Sequence, residues 1–169
     1  MKERIYLIGF MAAGKTTVGR KLAAELGYRF LDLDDFFEER YKIDIHTFFS
    51  KYGEKLFRSL EHERLTKTFD MKNVVVATGG GTPCYLNSME EINNNGTSVY
   101  LEMTPRAIAN RLATAARKRP LVEGKSGEEL IRYIQEKIQE RVPYYKKAQL
   151  IIDGLDANIF ELARQLEDQ

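Results

Sequence analysis

The sequence is poor in the residues that build disulfide frameworks and metal clusters. Its 169 residues include one cysteine, Cys84, and two histidines, His46 and His62. A single cysteine excludes an internal disulfide framework, and two poorly spaced histidines do not form a zinc-binding pattern. A reducing, cytoplasmic compartment is therefore the default expectation.

Excess charge of one sign and long apolar runs are also missing. The chain has 26 Lys and Arg residues against 25 Asp and Glu, a net charge of +1, which gives no electrostatic reason to expect nucleic acid or a membrane as a partner. No apolar run approaches the roughly 18 residues of a membrane span, and the N-terminus shows no leader pattern. We expect a monomeric protein with one domain, residues 1–169.

What the sequence does contain is an alternation of strand and helix signals. Short apolar runs predict strands at 4–8, 28–33, 73–77, 98–101 and 150–152. Helical patterns lie at 17–26, within 34–70, and at 104–114, 126–146 and 158–166. Thr104 is expected to cap one helix, and Ser126 with Glu129 to form a capping box on another. The alternation predicts an α/β fold with a parallel sheet covered on both faces, and ligands at the carboxyl ends of the strands.

The most specific motif follows the first predicted strand. Residues 9–16 have the pattern G-x-x-x-x-G-K-T, with a strand before it and a helix after it, which predicts a phosphate-binding loop. Backbone N–H groups of such a loop point at phosphate oxygens, and the helix N-terminus favours negative charge. Lys15 would reach the β- and γ-phosphates, and Thr16 would offer its hydroxyl to Mg²⁺.

Two carboxylates end the second predicted strand. Strand alternation would send Asp32 and Asp34 to the same side of the sheet, with Leu33 opposite. Beside a phosphate loop, one carboxylate could hold Mg²⁺ and the other could orient an acceptor hydroxyl and take its proton. The alternative is a solvated, acidic helix start, since Asp35 follows.

Further candidates come from a glycine run and two arginines. Gly79, Gly80 and Gly81 follow the most apolar strand and would expose bare backbone to a small ligand, unless they form a plain flexible turn. Arg58 and Arg141 lie in helical stretches. A guanidinium group is well shaped to grip a carboxylate, although each could also be an ordinary solvated arginine.

Two longer segments complete the prediction. Residues 115–127 are basic and without periodicity, and they predict a lid at about 113–126 that closes over the nucleotide, or else a surface loop. Residues 34–70 predict a helical insertion. Its apolar set, expected to form a small core with one or two members lining a pocket, is Ile45, Phe48, Phe49 and Phe57.

Taken in order, these motifs resemble the shikimate kinase family over residues 4–165. The matching stretches are the phosphate loop, the acidic pair, G-E-x-x-F-R at 53–58, the triple glycine, R-P-L at 119–121 and R-x-P-x-Y at 141–145. The resemblance implies a P-loop three-layer sandwich with a five-stranded parallel sheet in the order 2-3-1-4-5. A substrate-binding insertion (34–70) and a lid (113–126) would be added to it. It also implies Mg²⁺- and ATP-dependent phosphorylation of the 3-hydroxyl of shikimate, towards chorismate and the aromatic amino acids.

The resemblance also implies roles for the acceptor and metal residues. Asp34 would bind shikimate hydroxyls and act as base or orienter of the 3-hydroxyl. Arg58 and Arg141 would grip the carboxylate, with Gly79, Gly80 and Gly81 completing the pocket. Thr16 would ligate Mg²⁺, and Asp32 would reach it through water.

On the nucleotide side, the resemblance makes Lys15 and Arg119 catalytic together with Asp34, because both cations would neutralise the γ-phosphoryl group. Arg111 matches the position that stacks on adenine. The nucleotide-binding set that it implies is Ala12, Ala13, Gly14, Lys15, Thr16, Thr17, Arg111 and Arg119.

Two features depart from the family pattern. Ala12 stands where glycine is usual, and an alanine at that position predicts a negative φ. After Asp153, residues 154–156 lack the basic, adenine-side contact that the family often carries.

Other functions share parts of this pattern. A gluconate kinase or a nucleoside monophosphate kinase would share the phosphate loop, and a nucleotide-binding switch or inactive module could keep it while losing the acceptor residues. Asp34, Arg58 and Arg141 are all present, which favours a working enzyme whose acceptor carries a carboxylate and hydroxyls.

Overall fold

The described part of the chain contains one parallel sheet. The computed structural model describes residues 3–114, 122 and 124–168. Its strands are β1 (Arg4–Ile8), β2 (Arg29–Asp32), β3 (Val74–Ala77), β4 (Thr97–Glu102) and β5 (Leu150–Asp153). They lie in the order β2-β3-β1-β4-β5, with every neighbouring pair parallel, so the predicted sheet is confirmed.

Helices connect the successive strands. They are α1 (Lys15–Leu26), α2 (Leu33–Tyr41), α3 (Ile45–Tyr52), α4 (Glu54–Lys67), α5 (Ser88–Asn95), α6 (Pro105–Thr114), α7 (Gly127–Tyr145) and α8 (Ile159–Glu167). Short 3₁₀ turns lie at Thr68–Asp70 and Thr82–Cys84. Among the described helices, none has the length and apolar character to cross a membrane.

The alternating side chains of β1 divide the core into two layers. Ile5 and Leu7 face a cluster that includes residues of α1, α6, α7 and α8. Tyr6 and Ile8 face the opposite cluster, which includes residues of α4 and α5. This alternation is what a parallel sheet covered on both faces requires. A third, smaller cluster around Phe37, Phe48 and Phe57 holds the insertion α2–α4 together.

The apolar set predicted for the insertion forms that core. Phe48 and Phe57 are buried, whereas Ile45 and Phe49 are partly buried against them. Three members, Ile45, Phe49 and Phe57, also line a cavity, which is more than the one or two expected.

The boundary between β2 and α2 differs from the prediction. The strand ends at Asp32, and Leu33 already begins the helix. The reason is local: the Asp32 side chain accepts a hydrogen bond from the Asp34 backbone N–H (3.0 Å) and so caps the helix. The strand-alternation argument for Asp34 was therefore wrong, because Asp34 lies in the first turn of α2.

The two predicted helix caps, at Thr104 and Ser126, had opposite outcomes. Thr104 Oγ1 accepts from the Ala107 N–H at 3.2 Å, as expected. The Ser126 side chain makes no capping hydrogen bond. Gly127, the next residue, has a φ of 54°, so the chain does not enter the helix in capping-box geometry.

Helix α5 was not predicted. It ends in three asparagines, which are weak helix formers, and it is stabilised by burying Met89 and Ile92.

Candidate active site

The carboxyl ends of the strands gather the predicted motifs at one edge of the sheet. The phosphate loop follows β1, Asp32 ends β2, and the triple glycine follows β3. The loop requires glycine at its start because a Cβ on Gly9 would lie 2.9 Å from the Leu101 carbonyl oxygen. Gly14, directly before α1, has a φ of 94°, a conformation that glycine adopts without strain.

Lys15 lies across the phosphate loop. Its Nζ donates to the carbonyl oxygens of Gly9 and Phe10, both at 2.8 Å, and the residue is only 9 % exposed. The positive charge is thereby held at the mouth of the loop, next to the N-terminus of α1. Both features favour a polyphosphate.

Thr16 and Asp32 come together as predicted for a metal site. Thr16 Oγ1 donates to Asp32 Oδ2 at 2.9 Å, while Asp32 Oδ1 caps α2. A hydroxyl and a carboxylate beside a phosphate loop suit Mg²⁺, which usually takes one or two protein oxygens plus phosphate and water. Among the described residues, no group of three or more His, Cys, Asp or Glu could hold a metal ion.

A cavity of about 720 Å³ runs along the loop. Of the predicted nucleotide residues in the described part, those that line it are Ala12, Gly14, Lys15, Thr16, Thr17 and Arg111. Its lining also includes the apolar side chains of Leu112, Leu155 and Ile159, which come from α6, the turn after β5 and α8. Ala13 does not line it: the side chain is buried in the core at 1 % exposure, and its N–H donates to the Phe10 carbonyl at 3.2 Å.

Ala12 has a left-handed backbone, so the expectation of a negative φ was wrong. Its φ is 59°, a conformation that costs a residue with a Cβ roughly 1–2 kcal/mol. Arg111 binds this turn: its Nη1 donates to the Ala12 carbonyl and its Nη2 to the Gly154 carbonyl, both at 3.1 Å. Arg111 therefore ties the phosphate loop to the turn after β5, and adenine stacking by Arg111 stays a prediction.

A second cavity of about 510 Å³ adjoins the first. All six predicted acceptor residues line it: Asp34, Arg58, Gly79, Gly80, Gly81 and Arg141. Five residues line both cavities: Met11, Asp34, Asp35, Gly79 and Gly80. A ligand in the second cavity would thus meet a phosphate in the first at the Asp34 carboxylate.

Arg58 is held by two carboxylates of its own helix. Its Nη1 donates to Glu61 Oε2 at 2.9 Å and its Nε to Glu54 Oε1 at 3.4 Å. Burial works to lower the pKa of Arg58, but the neighbouring carboxylates, chiefly that of Glu61, outweigh it, and the net pKa is raised. The guanidinium is therefore a permanent, oriented positive charge.

The triple glycine makes room for the protein's own arginines. A Cβ on Gly81 would lie 2.5 Å from Arg58 Nη2, and a Cβ on Gly80 would lie 3.1 Å from Arg141 Nη1. A side chain at Gly81 would require the Arg58 guanidinium to move, and one at Gly80 would require the Arg141 guanidinium to shift by a few tenths of an ångström. The close approach was predicted for a small ligand; in this structure the groups that approach these two glycines are Arg58 and Arg141.

Sequence reasoning missed two residues that support this wall. Glu61 is 4 % exposed and accepts from Arg58 and from Thr82 Oγ1 (2.7 Å). Tyr145 is fully buried, and its hydroxyl donates to the Gly80 carbonyl at 2.5 Å; burial, the largest influence, raises its pKa. Signals existed for both, because Glu61 lies one helical turn after Arg58 and Tyr145 is the tyrosine of R-x-P-x-Y.

The predicted lid lies mostly outside the described residues. Of the segment 113–126, residues 115–121 and 123 are not described. This includes Arg119, so its predicted catalytic and nucleotide-binding roles have no structural counterpart here.

Comparison with known proteins agrees with this geometry. The family model described as shikimate kinase matches residues 11–168. The chain belongs to the shikimate kinase family. The shikimate kinase of Phocaeicola vulgatus is 46 % identical over 145 residues, which cover 86 % of this chain and 83 % of that protein. That of Parabacteroides distasonis is 41 % identical and covers 90 % and 88 %, respectively.

Solved shikimate kinases have the same fold. The enzyme from Bacteroides thetaiotaomicron superposes with a TM-score of 0.90 at 37 % identity, covering 98 % of this chain and 96 % of that one. The enzyme from Acinetobacter baumannii, solved in complex with shikimate, gives 0.85 at 32 % identity, covering 99 % and 92 %. Shikimate kinase membership thus confirms the predicted resemblance and decides against the gluconate kinase and nucleoside monophosphate kinase families.

Proposed function

We infer that this chain transfers the γ-phosphoryl group of ATP to the 3-hydroxyl of shikimate, a step towards chorismate and the aromatic amino acids. One observation carries the inference. Two arginines and Asp34 line a single cavity, and that cavity opens into the phosphate-loop cavity at Asp34. An acceptor held by its carboxylate at the arginines would present a hydroxyl at the junction.

The acceptor cavity matches the chemistry of a cyclic hydroxy acid. Arg58 and Arg141 would bind the carboxylate through charge-assisted hydrogen bonds. Phe49 and Phe57 provide apolar surface for a carbon ring. Asp34 would accept a hydrogen bond from the reacting hydroxyl, which fixes the hydroxyl oxygen for in-line attack.

Phosphoryl transfer would then proceed mainly through positioning and charge stabilisation. The acceptor oxygen forms a bond to the γ-phosphorus while the bond to the ADP oxygen breaks, and the hydroxyl proton passes to Asp34. Lys15 and the N–H groups of the loop would stabilise the negative charge on the transferring group. Arg119 would add a further cation by the same logic.

We propose that Mg²⁺ is held by Thr16 directly and by Asp32 through water. When bound, the ion would neutralise charge on the β- and γ-phosphates. The chain's own contribution is to keep the Thr16 hydroxyl and the Asp32 carboxylate together at 2.9 Å. The apolar side chains of Leu112, Leu155 and Ile159 in the cavity lining would contact the adenine base.

The proposed organisation is a single domain with two additions. Residues 34–70 would form the acceptor-binding insertion, supported by its own apolar cluster, and residues 113–126 would form the lid. Cytoplasmic location and a monomeric state stay predictions.

A coupled ADP-release assay with ATP and Mg²⁺ tests the function directly. Shikimate, gluconate and no acceptor are compared, and the product is identified by phosphorus NMR. We expect ADP release that depends on shikimate, with one phosphate ester at the 3-position. Release with gluconate, or equal release without acceptor, would contradict the proposal; the second result would point to a nucleotide-binding switch.

A further inference from the structure

Tyr85 covers one of the two arginines of the acceptor cavity. It follows the 3₁₀ turn after the triple glycine, and its ring centroid lies 4.2 Å from Arg58 Cζ. The rings of Phe57 and Phe49 lie farther from the same carbon, at 5.1 and 5.8 Å. Tyr85 does not line either cavity. An effect of Tyr85 on a ligand would therefore pass through its contact with Arg58.

The hydroxyl of Tyr85 closes a small network. It interacts with the Glu54 carboxylate, and Glu54 also accepts from Arg58 Nε at 3.4 Å. Burial and this interaction both raise the pKa of the Tyr85 hydroxyl, so the group stays protonated and can donate. Ring, carboxylate and guanidinium therefore restrain one another.

The two carboxylates and the Tyr85 ring restrain different parts of the Arg58 guanidinium group. Glu61 binds Nη1 and Glu54 binds Nε, both at the edge of the plane. Neither edge contact prevents the plane from tilting, whereas an aromatic ring at 4.2 Å supports the face. Arginine has a large rotamer entropy, so fixing it before the ligand arrives reduces the cost of binding.

We propose that Tyr85 is a positioning residue for recognition of the acceptor carboxylate, acting through the face of Arg58. The proposal rests on the proposed function, since it assigns the shikimate carboxylate to Arg58. It makes Tyr85 a determinant of acceptor affinity that leaves the nucleotide side unaffected.

Steady-state kinetics of Tyr85→Leu and Tyr85→Phe test the proposal. Tyr85→Leu removes the ring and should raise the KM for shikimate about threefold to thirtyfold, the range set by cation–π contacts. The KM for ATP should stay within about twofold. Tyr85→Phe keeps the ring and should recover most of the shikimate affinity.

A matched control is Tyr144→Leu. Tyr144 is 38 % exposed against 40 % for Tyr85, and it also lies near a cation, with Lys147 Nζ at 5.8 Å from its ring. It is not in the lining of either cavity. We expect both KM values of this variant to match the wild type.

A double-mutant cycle separates positioning from a general structural role. In an Arg58→Gln background, Tyr85→Leu should add little to the KM for shikimate, because its effect passes through Arg58. Additive effects, equal rises in both KM values, or a Tyr85→Phe variant as weak as Tyr85→Leu would overturn the proposal. If the wild type shows no shikimate-dependent ADP release, the proposed function fails. If the wild type shows that release and Tyr85→Leu has a normal KM for shikimate, only the inference about Tyr85 fails.

Discussion

The two adjoining cavities are built in different ways. The phosphate side of the nucleotide cavity is one continuous stretch, the phosphate loop and the start of α1, and such loops bind phosphate through backbone N–H groups. The acceptor cavity takes its polar side chains from α2, α3, α4 and α7, next to the triple glycine. Phosphate recognition is therefore local in sequence, whereas acceptor recognition depends on tertiary contacts.

This difference predicts how substitutions divide between the substrates. A change in the loop should affect every phosphate-dependent step. A change at the acceptor wall should affect one ligand and leave the other unchanged.

Lys15→Met should have the largest effect. It removes the cation that lies across the loop, and we expect kcat to fall by at least about 10³-fold, as for loss of a main charge-stabilising group in phosphoryl transfer. The coupled ADP assay measures it, with far-UV circular dichroism as the control for folding. A folded variant with kcat within tenfold of wild type would contradict the assigned role.

Asp34→Asn tests the junction between the cavities. The amide keeps the shape but cannot take a proton, so we expect kcat to fall about 10²- to 10⁴-fold with both ligands still bound. Glu39→Gln is the matched control, because Glu39 is an exposed carboxylate of the same helix and lines neither cavity. Calorimetric titration with shikimate checks that binding survives. Near-wild-type turnover would remove Asp34 from proton handling.

Arg141→Ala should act on the acceptor alone. Loss of a charge-assisted hydrogen-bond donor should raise the KM for shikimate about tenfold to a hundredfold, with the KM for ATP nearly unchanged. Arg132→Ala, an exposed arginine on the same helix, should leave both values unchanged. Equal losses for the two ligands would mean that the two cavities are not separable as described.

The same contrast explains what could be predicted from the sequence. The phosphate loop and the order of the sheet were predictable, because a contiguous motif and alternating apolar runs determine them. At the acceptor wall, the six lining residues were proposed from the family resemblance, but their supports Glu61, Tyr145 and Tyr85 were not. Glu61 and Tyr145 each had a local signal, the helical spacing from Arg58 and the motif R-x-P-x-Y, whereas the contacts of Tyr145 with Gly80 and of Tyr85 with Arg58 join segments distant in sequence and could not be predicted from local periodicity.

The boundary errors have a related cause. The β2–α2 junction depends on one carboxylate, Asp32, which caps the helix instead of continuing the strand. Helix α5 has weak intrinsic propensity and exists because its two apolar residues reach the core. In both places, one tertiary or capping contact overrides the sequence pattern.

Ala12→Gly gives the smallest predicted effect. It tests whether the left-handed backbone of the phosphate loop at Ala12 lowers the stability of the folded protein. At a φ of 59°, glycine removes a steric cost of about 1–2 kcal/mol but adds roughly 0.5–1 kcal/mol of unfolded-state entropy. The net expectation is stabilisation of about 0.5 kcal/mol, a rise in Tm of about 1–2 °C. Ala24→Gly is the matched control, because Ala24 is exposed in α1 with helical backbone. The same substitution there should lower Tm, since only the entropic cost applies. Calorimetric melting of the three proteins measures both signs. If both variants lower Tm equally, the left-handed backbone at Ala12 carries no measurable strain.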